Sequence, residues 1–192
     1  SAIVRKTGRV PRIIGAHFLW RFPAAALALG RAGVVKGDRD VAHSLLEKGE
    51  ILMIYPGGVR EAAKGPDDRE RLFWEGRTGF IKVALRAGVP VVPAAILGAD
   101  DMFWRSESRL DIIGELTGDP DAAMPLFMGL GPLPLPVNLK VRFAPPVLME
   151  GGEDAAEDDE LVQSLQDKVR LQVETLLGYA DATPRDPFAV ED

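Results

Sequence analysis

The chain has 192 residues, 46 % of them hydrophobic, which is enough for a single domain with a packed core. Its formal net charge of −6 argues against nucleic acid as a partner, because phosphate binding needs a basic surface. The absence of cysteine excludes disulfides, thiolate metal sites and a cysteine nucleophile, and two histidines are too few for a histidine-rich metal site.

The first predicted element lies in the apolar segment 13–29, which His17, Arg21 and Pro23 interrupt. A membrane-spanning helix needs about 20 predominantly apolar residues, so this segment is a poor candidate for one. We expect it to form a core or interfacial helix instead. No secretory signal is visible at the start of the chain, and we expect a cytoplasmic location or the cytoplasmic face of a membrane.

The pattern from residue 20 to 97 alternates between helices and strands. Helices are predicted over 20–32, 41–49 and 78–87, and strands over 33–35, 51–55 and 89–97, with a long polar loop over 56–75. Asp38 or Asp40 is a candidate cap for the second helix. Strands separated by helices of about ten residues indicate crossover connections. The fold class is therefore α/β, with a largely parallel or mixed central sheet flanked by helices.

The rest of the chain is less regular. Residues 122–137 contain four prolines and no charge, so they fit neither a regular helix nor a central strand. Two interpretations remain open, a buried loop or an exposed apolar loop that touches lipid or an acyl chain. A late one-sided strand is predicted over 138–143, and a C-terminal amphipathic helix over 159–177. Residues 179–192 are predicted to be a flexible tail.

The most informative stretch is ILMIYPGGVREAAK, residues 51–64, where an apolar strand ends at Gly57 and Gly58. Ligands of open α/β sheets bind beyond the carboxyl ends of parallel strands, and paired glycines let a ligand approach the backbone closely. Arg60 can offer its planar fork to a phosphate or carboxylate. Glu61 can accept a hydrogen bond from a hydroxyl, or it can hold Arg60 in place. An ordinary turn with a surface ion pair remains the alternative.

Three further motifs accompany that turn in a characteristic order. Gly33 is followed six residues later by Arg39, Arg77-Thr78-Gly79 opens the next helix, and Val-Pro-Val-Val-Pro spans 89–93. Together with Tyr55-Pro56-Gly57-Gly58-Val59-Arg60, this series resembles the glycerolipid acyltransferase superfamily of PlsC-type enzymes over roughly residues 10–100. Gly57 stands where the superfamily has a glutamate, and Pro-Gly-Gly-x-x-Glu is closer to its diacylglycerol and monoacylglycerol acyltransferase branch.

The superfamily's catalytic signature is a histidine with an aspartate five positions later. His17 is followed at that distance by Phe22 and His43 by Lys48, so neither matches. We expect residues 1–178 to be one acyltransferase-like domain that lacks its N-terminal part, and we assign no catalytic residue. Both histidines are assigned to structure.

The resemblance implies transfer of a fatty acyl group from acyl-CoA, as co-substrate without a further cofactor, to a hydroxyl of a glycerolipid or related lipid alcohol. It implies that Arg39, Gly57, Gly58, Arg60 and Glu61 bind the substrate, with lipid acceptor and acyl-CoA as partners. Peripheral membrane contact is expected through 13–29 or 122–137. The alternative is a catalytically inactive lipid- or acyl-chain-binding domain. A third alternative is an unrelated hydrolase that uses Ser44 or Ser106. No G-x-S-x-G nucleophile elbow in the sequence supports it.

Overall fold

The computed structural model describes residues 2–58, 61, 64–65, 68–69, 71–74, 76–110, 124–129 and 134–178. The strands are β1 (Pro11–Gly15), β2 (Val34–Lys36), β3 (Ile51–Met53), β4 (Ala94–Leu97), β5 (Trp104–Leu110), β6 (Met124–Met128) and β7 (Lys140–Phe143). The α-helices are α1 (Ala2–Thr7), α2 (Pro23–Arg31), α3 (Arg39–Glu47), α4 (Gly79–Ala87), α5 (Gly152–Glu157) and α6 (Asp159–Leu177). Short 3-10 helices cover His17–Arg21 and Ala99–Asp101.

The chain divides into two compact units. The first comprises Ser1–Gly58, Trp74–Val91 and Leu148–Gln166, and the second comprises Val59–Phe73, Val92–Val147 and Asp167–Asp192. The first unit contains a three-stranded parallel sheet of order β2-β1-β3. Ile13 in the central strand is in register with Val34 on one side and Met53 on the other. This parallel sheet with its flanking helices and the C-terminal helix confirms the predicted α/β class.

The core of the first unit lies along helix α4. Ile81 and Leu85 are fully buried, and each contributes about 1.5–3 kcal/mol through burial of its side chain. Helix α4 contacts α3 and α5, and α5 contributes the buried side chains Ala155 and Ala156. Two ion pairs join the same region at its surface, Lys82 to Asp159 at 2.8 Å and Arg86 to Glu157 at 2.5 Å.

The second unit is built from antiparallel pairs. Strand β4 pairs with β7 and β5 pairs with β6, each as a two-stranded sheet. A buried ion pair joins Lys64, whose side chain is 7 % exposed, to Asp100 at 2.8 Å, and Lys64 also donates to the Arg71 carbonyl oxygen at 3.2 Å. Arg69 pairs with Asp101 at 2.9 Å. The two pairs attach the loop after the glycine turn to the 3-10 helix Ala99–Asp101.

The largest error of the sequence-based assignment is at segment 13–29, which was expected to form one helix. Its first residues instead continue Pro11 into the central strand β1, and only Pro23–Arg31 forms an α-helix. The run Pro-Arg-Ile-Ile-Gly has no periodicity of its own, and its hydrogen-bonded neighbours on both sides make it a strand.

Three strand assignments also need correction. The predicted strand 51–55 ends at Met53, and its side chains are half-buried rather than buried on both faces. The predicted strand 89–97 is reduced to Ala94–Leu97, because Pro90 and Pro93 lack the N–H that a continuous ladder requires. Within 122–137, the residues Met124–Met128 form strand β6 instead of a loop.

Other assignments agree with the structure. The Asp38 side chain accepts from the Asp40 and Val41 N–H groups at the start of α3, which confirms the predicted cap. Helix α4 ends at Gly88, in the left-handed conformation (φ +60°). The late strand is present as β7, and the C-terminal helix as α6. The predicted tail 179–192 lies outside the described residues, and a single domain over 1–178 stays a prediction.

In the part of the chain that the structure describes, no helix has the length and apolarity needed to cross a membrane.

Candidate functional site

The carboxyl end of the parallel sheet is lined with glycine. Gly15 is the last residue of β1, Gly37 follows β2, and Gly57 and Gly58 lie a few residues beyond β3. The Gly37 N–H donates to the Gly15 carbonyl oxygen at 3.0 Å, and a Cβ atom on Gly37 would lie 2.8 Å from that oxygen. Only glycine allows this approach of the two backbones. We call these four residues the glycine edge.

The turn after β3 has its own requirement for glycine. Gly57 is buried, and Gly58 has a φ of +57°, in the left-handed region that side chains disfavour. The Gly58 N–H donates to the Tyr55 carbonyl oxygen at 3.0 Å, which closes the turn over Pro56 and Gly57. Tyr55 directs its hydroxyl to the Met53 sulfur at 3.2 Å, and burial raises the pKa of this phenol.

Arg77 is a member of this site that the sequence did not predict. Its Nη1 donates to the Gly57 carbonyl oxygen at 3.2 Å, and a Cβ atom on Gly58 would lie 2.9 Å from the same nitrogen. The guanidinium therefore occupies space that a side chain on Gly58 would need. Arg77 belongs to the Arg-Thr-Gly motif, but only the tertiary structure shows that this arginine holds a turn twenty residues earlier.

Arg39 reaches the same region from α3, of which it is the first residue. Its guanidinium atoms lie 3.6–4.0 Å from the position of a Cβ atom on Gly79, the first residue of α4. Within the described residues, Arg39 is exposed and has no ion-pair or hydrogen-bond partner. The N-terminus of a helix carries a partial positive charge. The Arg39 guanidinium beside the start of α4 is therefore favourable when an anionic or electron-rich group lies close to both the guanidinium and the helix N-terminus.

The two remaining predicted residues follow the glycine turn. Arg60 lies outside the residues that the structure describes. Glu61 belongs to the second unit, where its Oε1 accepts from the Phe73 N–H at 3.3 Å. This bond closes the base of the loop that the buried Lys64–Asp100 pair anchors. The structure thus places Glu61 in a loop-holding position, and its role toward a substrate stays a prediction.

The structure places Arg39 against the first residue of α4, and it places Gly57 and Gly58 against Arg77, two residues before that helix begins. This arrangement offers a cation, close-approach backbone and a helix N-terminus, which suit an oxyanion or a polar carbonyl. The His43 Nδ1 atom lies 3.6 Å from Glu47 Oε2, one turn further along α3. His17 is an exposed residue at the start of a 3-10 helix.

A comparison with protein families gives one match that covers more than half of the chain. A family model described as diacylglycerol acyltransferase matches residues 13–117, more than half of the chain. This range includes the whole glycine edge, Arg39 and Arg77. No solved structure matches the chain significantly.

The chain is similar over most of its length to mycobacterial proteins. An uncharacterized protein of Mycobacterium tuberculosis is 30 % identical over 182 residues, which are 92 % of this chain and 51 % of the relative. A Mycobacterium leprae protein, also uncharacterized, is 30 % identical over 182 residues and 49 % of its own length. The chain thus spans about half the length of these curated relatives.

A shorter similarity connects the chain to animal proteins. The chicken (Gallus gallus) protein named "DGAT1/2-independent enzyme synthesizing storage lipids" is 39 % identical over 85 residues, which are 44 % of this chain and 25 % of the relative. The human protein of the same name is 37 % identical over 86 residues, which are 45 % of this chain and 26 % of the relative.

Proposed function

The chain belongs to the diacylglycerol acyltransferase family, and on that premise we propose that it takes part in the transfer of a fatty acyl group from acyl-CoA to a hydroxyl of a glycerolipid or related lipid alcohol. A lipid acyltransferase type of function follows from the family and from relatives named for storage-lipid synthesis. The acyl-CoA donor, the glycerolipid acceptor and a place in phospholipid or neutral-lipid synthesis are parts of the proposal. Membership of the wider PlsC-type superfamily is also part of the proposal.

The observation that carries the proposal is the juxtaposition of Arg39 with the start of α4, beside a glycine turn that Arg77 holds in place. Acyl transfer passes through a tetrahedral oxyanion, and both substrates carry polar carbonyls or phosphates. Backbone N–H groups and an unpaired guanidinium are the groups that such substrates require. We propose that Arg39 and Arg60 supply cationic contacts, and that Gly57 and Gly58 let the substrate reach the backbone.

Glu61 is proposed to act from the loop that its bond to the Phe73 N–H closes. In that position its carboxylate can accept a hydrogen bond from the hydroxyl of the lipid alcohol, or it can orient Arg60. Peripheral contact with a membrane, on its cytoplasmic face, would bring a lipid acceptor to the glycine edge.

The proton-transfer step implied by the family resemblance needs a His-x-x-x-x-Asp signature that this chain does not contain. In an intact site, the histidine takes the proton of the acceptor hydroxyl, whose oxygen attacks the thioester carbon. The C–O bond forms, the C–S bond breaks, and the proton passes to the departing CoA thiolate. The residues of this chain position the reacting groups for that step.

The second candidate function is a catalytically inactive lipid- or acyl-chain-binding domain, and it rests on the two histidines of the chain, neither of which is followed by an aspartate at the required distance. Incubation with labelled acyl-CoA and diacylglycerol separates the two. We expect acylated product from the chain preceded by a segment carrying His-x-x-x-x-Asp, and less product after Arg60→Ala. Binding of acyl-CoA without product from either form would support the inactive domain. Turnover by the 192-residue chain itself would exclude it.

A further inference from the structure

Charge is distributed very unevenly along this acidic protein. Residues 1–37 hold seven of the 23 basic residues and none of the 29 acidic residues. The other 155 residues therefore hold 16 basic and 29 acidic residues, so a basic N-terminal segment precedes a strongly acidic remainder. A segment of this kind has its own electrostatic preference, which the net charge of the whole chain conceals.

Helix α2, within that basic segment, has an apolar outer surface. Ala24, Leu27, Ala28 and Arg31 lie three or four residues apart and share one face, and all four are exposed, Leu27 to 58 %. We call these four residues the docking face. A surface helix of a globular protein normally places polar residues on its outer side, but here Arg31 is the only polar residue on that side.

Two arginines stand at the two ends of helix α2, Arg31 within the docking face and Arg21 just before the helix. Arg31 is the last residue of α2, and Arg21 ends the 3-10 helix just before the N-cap Phe22, which is itself 38 % exposed. Helix α2 has nine residues and is therefore about 14 Å long, and Arg21 and Arg31 stand near its opposite ends in the chain. Neither arginine has an ion-pair partner among the described residues.

We propose that the docking face, with Arg21 and Phe22, binds the surface of an anionic lipid membrane. Exposed apolar side chains bordered by unpaired cations match the acyl boundary and the negative headgroups of such a surface. A second copy of the chain fits less well, because a symmetric pair through this face would oppose guanidinium groups to guanidinium groups. We thus assign a membrane contact to α2, within the segment 13–29.

Vesicle co-sedimentation of the 192-residue chain tests the proposal without any substrate, so it succeeds or fails separately from acyl transfer. The chain is mixed with phosphatidylcholine vesicles and with vesicles containing about 30 % phosphatidylglycerol, at low and high salt. We expect binding to the anionic vesicles only, weakened by salt. No binding to either composition, or equal binding to both, would overturn the proposal.

Variants locate the contact. Arg21→Gln combined with Arg31→Gln is expected to weaken binding to anionic vesicles by about 25-fold, since each cation near such a surface contributes about fivefold. Leu27→Asp is expected to weaken it by about tenfold or more. Leu171→Asp is the matched control, because Leu171 is 64 % exposed on α6 outside the basic segment.

Circular dichroism confirms that each variant is folded. An equal loss in Leu171→Asp would contradict the assignment to α2. The proposal is also wrong if Leu27→Asp abolishes a dimer of the chain while vesicle binding is unchanged, because a second copy would then be the occupant.

Discussion

Arg77 and Gly57 are joined by a hydrogen bond in which Arg77 Nη1 donates to the Gly57 carbonyl oxygen at 3.2 Å. The bond connects the residues that open helix α4 to the turn that follows β3. It also uses the space beside Gly58, where a Cβ atom would lie 2.9 Å from the same nitrogen. The glycine turn and the start of α4 are therefore one structural arrangement, and Arg39 lies against the same helix end.

The first prediction concerns Gly58. Gly58→Ala is expected to lower the free energy of unfolding by about 1–3 kcal/mol, because alanine is strained at a φ of +57° and Arg77 must move away from Gly57. Urea unfolding measures the change. Gly30→Ala is the control, since Gly30 lies in α2 with open space around it, and a helical alanine there should be neutral or stabilising by up to about 1 kcal/mol. Equal stability of Gly58→Ala and the unchanged chain would show that the turn does not need glycine.

The second prediction concerns the helix cap at Asp38. Asp38→Ala removes the acceptor of the Asp40 and Val41 N–H groups and should lower the free energy of unfolding by about 1 kcal/mol. Asp38→Asn keeps an acceptor oxygen at the same position, and it should retain most of the stability. Thermal unfolding of the two variants side by side makes the comparison. If Asn is as destabilising as Ala, the cap is not the reason for the aspartate.

The third prediction concerns the buried pair Lys64–Asp100. Lys64→Met leaves the Asp100 carboxylate without its principal partner at a site that is 17 % exposed, and we expect a loss of about 3 kcal/mol. The double variant Lys64→Met with Asp100→Leu should recover a large part of that loss, because no buried charge remains.

The exposed pair Arg71–Asp68 provides the control for this measurement. The Arg71 side chain is 65 % exposed, so Arg71→Met should change the free energy of unfolding by less than about 1 kcal/mol. Similar losses in Lys64→Met and Arg71→Met would mean that burial of the first pair has no energetic consequence.

The fourth prediction is a pH dependence at Asp159. The hydrogen bond and the charge of Lys82 lower the pKa of Asp159 from its ordinary value of 3.8. A carboxyl with a lowered pKa in the folded state stabilises it above pH 3.8, and this contribution is lost as the pH falls through the lowered value. NMR titration should show the Asp159 pKa rising back toward 3.8 in Lys82→Met. An Asp159 pKa unchanged by Lys82→Met would contradict the assigned cause.

Local rules predict much of the first unit. Asp38 as a cap and Gly88 as a stop follow from side-chain acceptors and left-handed glycine, so the bounds of α3 and α4 are close to expectation. Strand β1 could not be predicted in this way, because Pro11–Gly15 is a strand only through pairing with β2 and β3. For the same reason Gly15, which the central strand contributes to the glycine edge, was not predicted.

The candidate site is predictable only in outline. The residue types after β3 indicate a place where a ligand approaches the backbone, and the structure places Arg39 against the first residue of α4 and Gly57 and Gly58 against Arg77. The contact of Arg77 with Gly57 depends on how α4 packs, which no local pattern contains. One observed partner of Glu61 is the Phe73 N–H, twelve residues further along the loop, and its expected role at a substrate stays a prediction.

The central claim is that the glycine edge and its arginines serve acyl transfer to a lipid alcohol. Its most direct test is kcat/KM for acyl-CoA and diacylglycerol, measured on the chain preceded by a His-x-x-x-x-Asp segment, with Arg39→Ala and Arg170→Ala compared. We predict a loss of about tenfold or more for Arg39→Ala, since a hydrogen bond to a charged group contributes about 1.5–3 kcal/mol, and no change for Arg170→Ala on α6. Full activity of the Arg39→Ala enzyme would contradict the account.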